Sequence, residues 1–133
     1  MRRSLLIIDD DEHVAAILQR ILRGYDLVIA PSAEEGLARV GERAFDAVLC
    51  DLGLPGVSGT EFYARVADLR PGLERRVRFI TGGATDESAI AFVAAHEDDV
   101  LHKPFEIDKL RRFVAELFEA RSEAPKAPYQ GAP

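Results

Sequence analysis

Short apolar runs alternate with amphipathic stretches along the whole chain. Leu5-Leu6-Ile7-Ile8 is continuously apolar and closes on acidic residues, the pattern of a strand buried on both faces. Behind it Val14, Ile17, Leu18, Ile21 and Leu22 recur at i, i+3, i+4, i+7 and i+8, one face of an amphipathic helix that Gly24 stops. The alternation then repeats. Leu27-Val28-Ile29 reads as a second strand, and Ser32 with Glu35 forms a capping box for a helix that turns Leu37 and Val40 inward. Ala47 to Cys50 is a third strand, Phe62, Val66 and Leu69 mark a third helix, and Val77 to Thr81 is a fourth strand. A fourth helix is expected from about Asp86 to Ala95, carrying Ala89, Ile90, Phe92 and Val93. Val100-Leu101 opens a short fifth strand, and Ile107, Leu110, Val114, Leu117 and Phe118 define the last helix.

Strands alternating with helices predict an α/β domain with a parallel sheet and helices on both faces. Such sheets bind ligands beyond the carboxyl ends of their strands, near the point where strand order reverses. Functional residues should therefore follow strands. From Ser122 onward proline is too frequent for regular structure, so the chain divides into a domain over 1–121 and a flexible proline-rich tail or linker over 122–133.

Composition narrows the possibilities. At 133 residues there is enough chain for one sizeable core, and 47% hydrophobic with 30% charged residues is ordinary for a globular protein. No apolar run approaches the roughly 20 residues needed to cross a bilayer, so no membrane association is expected. Cys50 is the only cysteine, which excludes an internal disulfide and fits a cytoplasmic location. The formal net charge of −6 and the lack of a continuous basic stretch disfavour direct nucleic-acid binding. Arg70, Arg75, Arg76 and Arg78 form the densest basic group and are expected on a solvated loop surface.

The strand ends carry the chemistry. The first strand ends in Asp9-Asp10, the third in Asp51, the fourth in Thr81 and the fifth leads to Lys103-Pro104. Any one of these is more often a turn former, a helix cap or simple punctuation. Their joint placement on one sheet edge is what points to a site. Two charges at about 4 Å repel by roughly 4 kcal/mol at an effective dielectric of 20, so three carboxylates there need a proton or a cation. Hard oxygen ligands suit Mg²⁺, which keeps waters for a phosphate-bearing partner. An aspartate can then act as nucleophile toward phosphorus, with Lys103 and Thr81 facing the transferring oxygens.

These pieces resemble the receiver domain family of bacterial response regulators over roughly Ser4 to Ala120. The resemblance rests on Leu5 to Glu12, on Asp51-Leu52-Gly53-Leu54-Pro55-Gly56-Val57-Ser58-Gly59, on Phe79 to Gly83, and on His102-Lys103-Pro104-Phe105. It implies a flavodoxin-like sheet of order 2-1-3-4-5 and a two-component or phosphorelay function. Asp51 would be the phosphoacceptor, and Asp9, Asp10, Asp51 and the Gly53 backbone carbonyl would bind Mg²⁺. Thr81 would follow the phosphoryl oxygen, Lys103 would balance its charge, and the Lys103-Pro104 peptide would be cis. The donor would be a histidine kinase or histidine phosphotransfer protein, docking on Asp11, Val14, Ala15, Pro104 and Phe105. The chain would catalyse its own phosphorylation and dephosphorylation without being an enzyme in the ordinary sense. The proline-rich tail, Val100 and Gly82-Gly83-Ala84 resemble receivers at the carboxyl ends of hybrid histidine kinases, where the kinase domain lies in the same polypeptide.

Val100 departs from the pattern, because receivers usually carry Tyr or Phe three residues before the lysine and valine has no comparable swing. Gly53 and Gly83 leave bare two positions that flank the path of attacking water in the family. Two alternatives stand beside the receiver. A haloacid-dehalogenase-like phosphatase would need a second aspartate where Gly53 stands. A phosphorylation-independent binding module of the same fold would keep no use for the site residues, all of which are present.

Overall fold

The computed structural model describes residues 2–83 and 87–119. The expected tail over 122–133 lies outside them, as do Ala84 and the Asp86 start expected for the fourth helix. The strands are β1 (Ser4–Ile8), β2 (Asp26–Ala30), β3 (Ala47–Asp51), β4 (Val77–Thr81) and β5 (Val100–His102). Between and after them run α1 (Glu12–Ile21), α2 (Ala33–Glu42), α3 (Gly59–Leu69), α4 (Glu87–Ala95) and α5 (Ile107–Glu119). Short 3₁₀ turns at Leu73–Arg76 and Glu97–Asp99, which periodicity does not reveal, lead into β4 and β5.

All strand pairs are parallel, in the order β2-β1-β3-β4-β5. This is the expected 2-1-3-4-5 sheet. Order reverses between β1 and β3, which makes their carboxyl ends the switch point.

Alternate residues of each strand feed two cores, as the two-residue repeat of a pleated strand requires. Leu6, Ile8, Val48, Cys50, Val77, Phe79 and Val100 pack with Leu37, Val40, Phe62, Val66 and Phe92 of α2, α3 and α4. Leu5, Ile7, Leu49, Ile80 and Leu101 pack with Leu18 of α1, the adjoining Leu22, and Leu110, Val114, Leu117 and Phe118 of α5. Each fully buried Leu or Phe side chain contributes about 1.5–3 kcal/mol. Side chains also set the helix starts. Asp11 accepts the His13 and Val14 N–H groups at 2.8 and 3.3 Å, Ser32 that of Glu35 at 3.1 Å, and Ser58 that of Glu61 at 3.1 Å.

Three expectations need correction. Arg78 is not on a solvated loop: it lies in β4, 8% exposed, with Nε 3.3 Å from Asp99 Oδ1 and Nη1 donating to the Arg75 and Val77 carbonyls. A charge can be buried there because Asp99 is buried with it and two backbone carbonyls accept from it. Arg70 likewise ties to the structure, donating from Nε to the Val40 carbonyl at 2.9 Å. Ala15, expected on a docking surface, is buried, because it shares the inward stripe of α1 with Leu18 and Leu22. Conversely Ile17, Leu69, Ile90 and Ile107 are about half exposed, lying on the flanks of the stripes that periodicity assigned to them.

Gly36 fixes how closely α2 approaches β1. A Cβ there would run into Ile8 Cδ1 and stand 2.8 Å from Ile8 Cγ1, and Ile8 is itself fully buried. Gly36→Ala should therefore lose about 1 kcal/mol or more in urea unfolding, overpacking outweighing a helix-propensity gain of about 0.5–1 kcal/mol. Gly24→Ala, where a Cβ meets nothing within 4 Å, should be neutral or stabilising by about 0.4–1 kcal/mol. Equal changes at the two positions would contradict the tight contact of α2 with β1.

Candidate functional site

Parallel register assembles the site. β1 pairs Ile8 with Cys50, so the next residues, Asp9 and Asp51, emerge side by side at the switch point. β4 pairs Thr81 with His102, so Lys103 follows immediately, donating its backbone N–H to the Thr81 carbonyl at 2.7 Å. The Lys103-Pro104 peptide is cis, as expected.

One carboxylate oxygen from each of Asp9, Asp10 and Asp51 lies within 4.8 Å of the other two. Lys103 Nζ stands 3.6 Å from Asp51 Oδ2 and 3.9 Å from Asp9 Oδ2. Both separations give charge attraction without a hydrogen bond. Backbone groups hold the other oxygens: the Asp11 N–H donates to Asp9 Oδ1 at 2.9 Å, and the Gly53 N–H to Asp51 Oδ1 at 2.8 Å. Thr81 is buried, and its Oγ1 accepts the Gly83 N–H at 3.1 Å. Both donors lie two residues beyond their aspartate, the turn that an Asp side chain favours, so the turn-forming tendency of these residues and their place in the site go together.

Asp9 is the most constrained member. It is 3% exposed, and its Oδ2 is buried without a hydrogen-bond partner. Burial raises its pKa above the usual carboxylate range, helped by the Asp51 and Asp10 charges and opposed by the Asp11 N–H and Lys103. A buried acceptor with no donor, among three clustered carboxylates, fits a hard divalent cation such as Mg²⁺. Asp11, by contrast, is held below that range by the His13 and Val14 N–H groups it caps. Burial pushes the Cys50 thiol well above the ordinary range, with the Asp51 and Asp9 charges adding to it, so this sulfur is inert as a nucleophile.

Residues 5–115 match the response regulator receiver domain family, and the chain belongs to it. It is 32% identical over 130 residues to the transcriptional regulatory protein ZraR of Salmonella typhimurium, covering 93% of this chain and 29% of that protein. It is 34% identical over 137 residues to the virulence sensor protein BvgS of Bordetella pertussis, covering 97% of this chain and 11% of that one. The chain thus spans less than a third of the length of these curated relatives. Among solved structures, a CheY-like receiver domain from Methanospirillum hungatei superposes with a TM-score of 0.79 at 30% identity, covering 92% of this chain and 98% of that one. The receiver domain of the sensor histidine kinase PA1611 from Pseudomonas aeruginosa, with magnesium coordinated in its active-site cleft, shares the fold at 21% identity and a TM-score of 0.73, covering 90% and 99% of the two chains. The chain is therefore a receiver domain of two-component signalling, and neither the phosphatase nor the phosphorylation-independent alternative is favoured.

The raised Asp9 pKa has a signed consequence for stability. Native Asp9 keeps its proton to higher pH than the unfolded chain does, so the native state binds more protons across that interval. Stability from this group therefore falls as pH climbs from the ordinary aspartate range through the raised value. Asp9→Asn removes the charge and keeps an oxygen for the Asp11 N–H. Without divalent cations its melting temperature should exceed wild type at neutral pH, the gap closing toward about pH 4. Mg²⁺ at about a hundred times its Kd should return roughly 2.7 kcal/mol to wild type and far less to Asp9→Asn. A gap that widens on acidification would contradict the assignment.

Proposed function

We propose that Asp51 accepts a phosphoryl group from a phosphohistidine of a histidine kinase or phosphotransfer protein in a Mg²⁺-dependent reaction. The observation that carries this is the placement of one ammonium, Lys103, 3.6 Å from Asp51 Oδ2 at an otherwise acidic switch point. An Asp51 carboxylate oxygen attacks phosphorus, the bond from phosphorus to the imidazole nitrogen breaks, and the imidazole leaves with the electron pair. The product is an acyl phosphate. Hydrolysis reverses the loading: water attacks phosphorus, the bond to the Asp51 oxygen breaks, and phosphate departs.

Asp9, Asp10, Asp51 and the Gly53 carbonyl would hold the cation, which when bound neutralises charge on the phosphoryl oxygens. Lys103 supplies a fixed positive charge beside Asp51 Oδ2. Thr81 accepts from Gly83, which leaves its hydroxyl proton to donate to a phosphoryl oxygen. The Gly53 N–H holds Asp51 Oδ1 and so leaves Oδ2, the oxygen near Lys103, to act as nucleophile. The magnesium bound by the Pseudomonas aeruginosa receiver supports the choice of cation.

Donor docking falls to the surface beside these groups. Asp11 and Pro104 are exposed, Val14 and Phe105 are half-buried, and exposed Ile17 takes the place that Ala15 cannot fill. The likeness to BvgS, a sensor protein, supports a kinase domain in the same polypeptide as one arrangement. A cytoplasmic site of action follows from a kinase-borne phosphodonor, and no described helix is long and apolar enough to cross a membrane.

Incubation with Mg²⁺ and acetyl phosphate, followed by intact-mass measurement, should show one phosphoryl adduct on wild type and none on Asp51→Asn. Lys103→Ala should slow adduct formation by about 10²–10³, the cost of removing one preorganised group that stabilises developing charge. An unmodified wild type would rule out Asp51 as acceptor, and an adduct persisting in Asp51→Asn would move the acceptor elsewhere.

A further inference from the structure

Lys103 reaches Asp51 and Asp9 from the end of β5, the shortest strand of the sheet and one that pairs with β4 alone. Apolar side chains do little to fix its register. Val100 and Leu101 are the apolar residues of β5, one for each core, whereas β1 brings Leu5, Leu6, Ile7 and Ile8. A strand specified by two side chains resists a slip of one residue weakly. Such a slip moves the chain by about 3.3 Å, close to the 3.6 and 3.9 Å that separate Lys103 Nζ from Asp51 and Asp9. Lys103 is itself held among neighbours, with 27% of its side chain exposed, so the register of β5 decides where its charge stands.

One step before the pairing of Phe79 with Val100, the same register sets Arg78 beside Asp99. Both are buried, with Arg78 Nε 3.3 Å from Asp99 Oδ1. Arg78 is fixed on its own side, where Nη1 donates to the Arg75 and Val77 carbonyls at 2.9 and 3.1 Å. Asp99 is fixed on the other, its N–H donating to the His96 carbonyl at 2.8 Å. The pair thus continues the ladder with side chains at the amino end of β5, and the Lys103 N–H closes the carboxyl end on the Thr81 carbonyl at 2.7 Å. Sliding β5 along β4 would separate two buried charges, a penalty that an apolar pair of the same size does not impose. Apolar side chains would pack there as well; what the charges add is a register.

We propose that Arg78 and Asp99 are positioning residues for phosphoryl transfer: their buried pair fixes the register of β5 and so holds Lys103 where its charge meets Asp51. The inference rests on Asp51 as acceptor and on Lys103 as the balancing charge. Neither Arg78 nor Asp99 touches a reacting atom. They lie at the opposite end of β4 and β5 from Thr81 and Lys103, and they act on the reaction through the lysine. Breaking the pair displaces Lys103 without removing it. The expected slowing is therefore about tenfold, below the 10²–10³ or so for removing the ammonium outright.

The test is a double-mutant cycle on the full chain with Mg²⁺ and acetyl phosphate, adduct formation being followed by intact mass. Asp99→Asn should slow the reaction about tenfold in the wild-type background and less than about twofold in Lys103→Ala, where the lysine it positions is already gone. A merely structural pair would slow both backgrounds by the same factor, and that result would overturn the proposal. Arg78→Met combined with Asp99→Leu fills the same space with apolar side chains, should show the same dependence on Lys103, and serves if Asp99→Asn does not fold. A second readout needs no phosphorylation. In carbon NMR of the three lysines, the Lys103 Cε resonance should shift on Asp51→Asn when the ion pair is intact and not when Asp99→Asn is also present. An equal shift in both would likewise overturn the positioning role. A wild type that forms no adduct but shows this NMR difference would remove Asp51 as acceptor and leave the placement of Lys103 by Arg78 and Asp99 standing.

Discussion

Asp9, Asp10 and Asp51 each place one carboxylate oxygen within 4.8 Å of the other two, with Lys103 at 3.6 Å from Asp51. Each pair of such charges repels by about 4 kcal/mol at an effective dielectric of 20, so the fold can close only if it delivers compensation to the same place. Register supplies it. A slip of one residue between β1 and β3 would separate Asp9 from Asp51 and turn every alternate apolar side chain to the wrong core. Sheet pairing and site electrostatics are therefore one constraint. The shortfall that Lys103 leaves, concentrated on the buried Oδ2 of Asp9, is what a divalent cation would meet.

The same register explains what could be read from the residues alone. Apolar runs ending in Asp9 and Asp51, and the strand ending in Thr81 despite Arg78 within it, mark both the strands and the edge they share, so the fold and the candidate site are legible together. What escaped was set by tertiary contact. Arg78 looks like one of four loop arginines until Asp99, distant in sequence, is placed 3.3 Å from it. Ala15 and Ile17 are both compatible with an inward stripe, and only the packing of α1 on the sheet buries the first and half exposes the second. The Gly53 N–H that holds Asp51 Oδ1 follows from the tendency of aspartate to bond the N–H two residues on, but residue type alone does not say that this turn lies inside the site.

The glycines around the site do different work. Gly53 brings its backbone close enough to hold Asp51 Oδ1, and a Cβ there would stand 3.3 Å from that oxygen, tighter than side chains normally pack. Gly83 takes φ of +131°, a conformation that side chains rarely adopt, and a Cβ there would meet nothing within 4 Å. Gly53 is thus limited by space and Gly83 by backbone conformation. Neither places a side chain over the Asp51 carboxylate, so these two positions would put no lateral gate on the proposed acceptor.

The two cores give the proposed signal a direction. Asp51 ends the strand between β1 and β4, whose side chains alternate between the α1–α5 core and the α2–α3–α4 core. Val14 and Phe105, beside the expected donor surface, pack on the first core. Phe79, Phe92, Leu54 and Val100 belong to the second. A donor engaging α1 therefore leaves the α4 side free to respond, and the sheet itself keeps the two events apart. Replacing a ring at position 100 with valine removes a moving part from β5 and does not disturb that separation.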